Sequence, residues 1–124
     1  MNRTRLIAAG AAIVTLAASP LADGAPRTPA RLQVSADEFT LALSRPSIRS
    51  GDAVVELVNY GEDDHDLALR RAARGARTFR VRTVHPGATG ELDTRLPAGR
   101  YRLWCTLSGH RARGMSATLV VRAA

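Results

Sequence analysis

Cys105, His110 and Met115 stand five residues apart in one short stretch near the end of the chain. A thiolate, an imidazole and a thioether are soft or borderline donors, and together they suit a transition metal rather than calcium or magnesium. Cys105 is the chain's one cysteine. In an exported protein an odd thiol is reactive, intermolecularly paired or a metal ligand. Two His and one Cys in a trigonal set, with a long axial Met, is the donor set of a copper ion cycling between Cu(I) and Cu(II). Zinc sites rarely use Met, and iron–sulfur clusters need more cysteines. The second imidazole comes from His65, which lies forty residues before Cys105 and follows Asn59-Tyr60-Gly61. A Cys–His nucleophile would need an orienting third group and a substrate cleft. A chain this short, with Met115 on the same tight loop, offers little for that, so no enzyme is expected. Glu62, Asp63 and Asp64 lack the regular oxygen-ligand spacing of a calcium loop and read as a solvated loop. His85, before Pro86-Gly87, reads as a surface turn.

The elements that must position these residues are strands. No segment after residue 30 keeps a 3.6-residue apolar period; short alternating runs dominate. They begin with Leu32 and Val34, then Phe39, Leu41 and Leu43, then Val54 to Val58 and Leu67 to Leu69. They continue with Phe79 to Val84, Glu91 to Leu96, Tyr101 to Cys105 and Ser116 to Val121. Turn signals separate them at Arg45-Pro46-Ser47, Ser50-Gly51-Asp52, Asn59-Tyr60-Gly61, His85-Pro86-Gly87 and Pro97-Ala98-Gly99. About eight short strands so punctuated make an antiparallel β-sandwich or barrel. Arg70 to Ala76 reads as a loop or a single helical turn. A sandwich gathers the loops at one end, which lets His65 meet a loop joining the last two strands. Trp104, next to Cys105, should point away from the metal by strand alternation.

At 124 residues there is room for one domain. Arg3 and Arg5 precede an uncharged run, Leu6 to Ala18. About 13 apolar residues after a basic start have the layout of a secretory signal, whereas a spanning helix needs about 20. Residues 1–25 are therefore expected to be a signal peptide, 26–30 a proline-containing linker and 31–124 the domain. The mature protein would be periplasmic or secreted, monomeric and without a stable membrane span. All 18 basic residues are arginine, against 11 acidic ones, for a net charge of +7. Losing Arg3, Arg5 and Asp23 takes this to +6 (7 − 2 + 1). Such an excess favours acidic partners. An export signal and the absence of any nucleic-acid motif argue against nucleic acid.

The pieces Asn59-x-Gly61-x3-His65, Pro97-x-Gly99-x-Tyr101 and Cys105-x4-His110-x4-Met115 resemble the cupredoxins, the type 1 or blue copper proteins. The likeness spans roughly residues 32 to 123. Its loop spacing is closer to auracyanin- and rusticyanin-like members than to plastocyanin. The resemblance implies a Greek-key sandwich of about eight strands, with one copper ion near one end. It implies Cys105, His65 and His110 as equatorial ligands and Met115 as the axial one, with the loop histidine exposed. It also implies a one-electron carrier; a copper-binding module for storage, delivery or sensing shares every ligand. Two positions depart from the family pattern. Asp66 stands where many members have Asn, adding negative charge beside the copper. Arg111 and Arg113 flank His110 in a loop often apolar in relatives, and suit a redox partner with an acidic docking surface.

Overall fold

The computed structural model describes residues 24–124, so the expected signal peptide lies almost entirely outside the described residues. From residue 30 the alternation of leucine and β-branched residues with polar ones forms nine strands. These are β1 (Ala30–Asp37), β2 (Thr40–Leu43), β3 (Ser47–Arg49), β4 (Gly51–Asn59) and β5 (His65–Arg71), followed by β6 (Thr78–Val84), β7 (Thr89–Leu96), β8 (Gly99–Trp104) and β9 (Ser116–Arg122). They make two sheets, one ordered β2-β1-β4-β7 and the other β3-β9-β8-β5-β6. Every second side chain points between the sheets. Leu32 and Val34 of β1, Val55 and Leu57 of β4, Leu67 and Leu69 of β5, Leu103 of β8 and Leu119 of β9 are all buried there. Removing each such side chain from water contributes about 1.5–3 kcal/mol, so this layer holds the sandwich together. Tyr101 joins it and keeps its hydroxyl satisfied by donating to the Pro97 carbonyl at 2.8 Å.

The sheets are mixed rather than purely antiparallel. β1 runs parallel to β4, and β3 parallel to β9. The ninth strand, β3, lies where the sequence suggested only a turn. Ile48 supplies the reason: it is buried in the core, and the chain crosses from one sheet to the other to place it there. Pro46 does not obstruct this, because an edge position asks nothing of its missing N–H, and its carbonyl accepts from Val120 N at 3.1 Å. Arg70 and Arg71 extend β5, and a turn follows, closed by Ala76 N donating to Ala73 O at 3.1 Å.

The topology brings five segments to one end of the sandwich. They are the β1–β2 turn, the end of β4, the start of β5, the β6–β7 turn and the long β8–β9 loop.

Candidate metal centre

His65 opens β5 and is fully buried. Its position is set by the loop before it, which is organised by the buried side chain of Asn59. The Asn59 amide donates to Asp63 O at 2.7 Å and Val84 O at 2.9 Å, and its oxygen accepts from Gly61 N at 2.8 Å. Glu38, from the β1–β2 turn, closes the loop from the other side. Its carboxylate accepts from the backbone amides of Glu62 at 3.1 Å and Asp63 at 2.9 Å, and contacts His65 Nε2 at 2.9 Å. Gly61 makes the approach possible, since a Cβ there would overlap the Glu38 carboxylate. The Asp63 and Glu62 amides, with His65, hold the Glu38 carboxyl down to about 2. An ionised Glu38 accepts the Nε2 proton of His65 and leaves Nδ1 with its lone pair free, the arrangement that orients a metal-binding imidazole.

The β8–β9 loop carries the other donors. Cys105, fully buried, follows the last residue of β8, and its amide donates to Met115 O at 3.2 Å. Met115, also fully buried, donates its own amide to His110 O at 3.2 Å. Between them the chain folds into turns, with His110 N on Leu107 O at 3.1 Å and Gly114 N on Arg111 O at 3.1 Å. His110 is half-buried, and Phe39 meets its ring edge-on at a centroid distance of 5.2 Å.

These constraints bring three donor atoms together. His65 Nδ1 and His110 Nδ1 are 3.2 Å apart, Cys105 Sγ is 3.6 Å from His110 Nδ1, and all three ligand atoms lie within 4.8 Å of one another. A first-row ion with bonds of about 2.0–2.1 Å to nitrogen and about 2.3 Å to sulfur would set nitrogens about 3.5 Å apart in a trigonal plane, and nitrogen and sulfur about 3.8 Å apart. The donors therefore need almost no movement to hold one ion. Two imidazoles and a thiol, with a buried thioether on the same loop, are consistent with one type 1 copper. Burial pushes the Cys105 thiol up, while the backbone amides of Asp66 and Leu107 pull it the other way.

The neighbours follow the sequence reading with additions. Asp66 is not turned to solvent: its carboxylate accepts from Thr106 N at 2.6 Å and from the Thr106 hydroxyl, tying the His65 strand to the Cys105 loop. Trp104 points outward, with the Arg111 guanidinium 4.7 Å above its ring, and Arg113 sits 4.7 Å from the Phe39 ring. His85 is an exposed turn residue bonded to Asp64 at 2.7 Å. Glu38 and Thr106 were not singled out by sequence, and Phe39 was read only as the start of a strand, whereas it lies in the β1–β2 turn. Glu38 acts on a residue 27 positions away, and an acid in a hairpin turn carries no signal of that.

No family model and no curated protein matches this chain. Solved structures do. Dithionite-reduced auracyanin from the photosynthetic bacterium Roseiflexus castenholzii superposes with a TM-score of 0.62 at 18% identity, over 74% of this chain and 96% of that one. Auracyanin B gives 0.61 at 21% identity, over 78% and 92%. Amicyanin from Paracoccus versutus gives 0.53 at 22% identity, over 82% and 87%. Nine strands in two packed sheets, with the His-Cys-His cluster at one end, give this chain the cupredoxin fold.

Proposed function

We propose that this chain is a type 1 copper protein that carries one electron between redox proteins, on a copper ion that His65, Cys105, His110 and Met115 would hold. The observation that carries the reading is the convergence of three donor atoms within 4.8 Å, two of them fully buried. Copper bound there supplies a one-electron Cu(I)/Cu(II) couple. The chain supplies the rest. Glu38 and Asn59 fix His65, and the Asp66–Thr106 tie fixes the Cys105 loop against it, so the donors stay put when the metal's charge changes. His110, half-buried at the end of the sandwich, is the ligand through which an electron would pass to a partner. The likeness to auracyanin, a protein that dithionite reduces, supports a redox role over substrate chemistry.

We place the protein outside the cytoplasm, on the strength of the basic and apolar start of the chain. The redox partner is proposed to present acidic residues to Arg111 and Arg113, which the Trp104 and Phe39 rings hold beside His110.

Addition of Cu(II) to purified protein should produce an intense visible thiolate-to-copper band at one ion per chain, and Cys105→Ser should abolish it. No such band in the parent protein would refute the type 1 site. Reversible voltammetry of the loaded protein supports the carrier; copper surrendered readily to competing chelators, without reversible voltammetry, would favour storage or delivery.

A further inference from the structure

The two outer faces of the sandwich carry opposite charge. On the four-stranded sheet the outward positions include Asp52, Glu56, Glu91 and Asp93, and its arginines are paired: Arg31 with Glu56 at 2.8 Å and Arg95 with Asp52 at 3.0 Å. The five-stranded sheet differs. Alternation puts Arg80 and Arg82 of β6, Arg70 of β5, Arg100 and Arg102 of β8 and Arg122 of β9 on its outer face, all exposed. Among the described residues none of the six has a carboxylate within salt-bridge distance. The one acid facing that way, Asp66, is engaged by Thr106. Arg70 even stands directly opposite Arg102 in the ladder. Like charges so placed cost stability.

These arginines extend well beyond the candidate metal centre. β8 reaches the copper end at Trp104 and β9 leaves it at Ser116, so Arg100 and Arg122 lie towards the opposite end. At about 3.3 Å per residue, that is roughly 13–20 Å along the strands. The screening length at physiological salt is about 8 Å. A partner seated on His110 would therefore feel little of Arg100 or Arg122. Only an extended anionic surface engages the whole face at once. A protein interface of that breadth would be expected to centre on aromatic anchors, and the outward positions between these arginines hold Ala68, Thr118 and Val120 instead.

We propose that the outer face of the five-stranded sheet docks on an anionic phospholipid bilayer, with its arginines on headgroup phosphates. The sandwich then lies flat and the acidic sheet faces away, while His110 lies at the end of the docked face, next to the outward Trp104 and the Arg111 that covers it. Docking needs no metal, so its test is independent of the copper assignment.

The full-length protein should co-sediment with vesicles of equimolar phosphatidylcholine and phosphatidylglycerol and lose that binding as salt is raised. Residues 1–23, which carry Arg3 and Arg5, are common to the parent and the variants, so differences between them report the sheet face alone. Each arginine near such a surface contributes a factor of about five, so R70Q/R80Q/R102Q should lower partitioning about a hundredfold. R70K/R80K/R102K, which keeps the charge, should retain most of it, and keeps the test decisive if the glutamine variant fails to fold. Equal partitioning of the folded glutamine variant and the parent, or no preference for anionic vesicles, would overturn the proposal. Binding to soluble polyglutamate without binding to vesicles would also overturn it, and would assign the face to an acidic protein.

Discussion

Two carboxylates stand beside the candidate ligands, Glu38 hydrogen-bonded to His65 and Asp66 to Thr106, the residue after Cys105, and they act differently. Asp66 accepts two bonds from Thr106, and its charge lies beside the metal position, where negative charge favours Cu(II). Asp66→Asn keeps one acceptor and removes the charge. The reduction potential should rise by about 60 mV, a tenfold change in the one-electron equilibrium, measured by redox titration. No rise would exclude an electrostatic role for Asp66. Glu38 anchors His65 and the loop before it. Its carboxyl is lowered from 4.5 to about 2, so it binds fewer protons folded than unfolded as pH falls. The stability it contributes is complete above about pH 4.5 and is lost as pH falls towards 2. Glu38→Gln should flatten the acid limb of the thermal unfolding midpoint in metal-free protein, leaving the midpoint at neutral pH less affected by further acidification than in the parent. An unchanged acid limb would show that Glu38 is not the group that titrates.

At the scale of elements, the centre depends on how β4, β6 and β7 meet. Asn59 ends β4 and bonds to Asp63, to Val84 at the end of β6 and to Gly61. Asn59→Ala leaves two carbonyls and an amide without those partners, and should cost about 2–4 kcal/mol in chemical denaturation and loosen copper binding with it. A leucine at the same position should not rescue either property if hydrogen bonding is what matters. The sheets also meet closely where β7 crosses β6. A Cβ on Gly90 would lie 2.7 Å from Val84 Cγ2 and 2.8 Å from Val81 Cγ1. Valine is stiff at χ1 and cannot turn aside, so the strands must part. Gly90→Ala should destabilise by about 1–3 kcal/mol, as overpacked cores do. A neutral result would mean that the edge of the sandwich is more yielding than its packing implies.

Over the whole molecule, charge is distributed by sheet and by end. Arg111 and Arg113 sit over aromatic rings at the copper end, already ordered before any partner arrives. Rim charges mainly set the rate of encounter. Electron-transfer rates with an acidic partner should fall steeply with ionic strength, and Arg111→Ala should weaken that dependence, in stopped-flow measurements across a salt series. A flat salt response in the parent protein would remove acidic docking. The sheet arginines lie mostly beyond the screening length from His110 and should leave that response nearly unchanged.

Much of this was legible in the residues themselves. Strand alternation is local, so Leu67-Ala68-Leu69 and Tyr101 to Cys105 announced strands and the outward turn of Trp104. The donor types and five-residue steps of Cys105, His110 and Met115 pointed to copper, because ligand chemistry is a property of side chains and a loop keeps its members close. Other features waited on the tertiary structure. β3 exists because Ile48 finds the core of the other sheet, and the parallel pairing of β1 with β4 is a choice of partner that no local pattern encodes. Glu38 on His65, Thr106 on Asp66 and Phe39 on His110 are contacts across tens of residues. So is the segregation of arginine from carboxylate, which appears only once alternate residues of nine strands are sorted onto two outer faces.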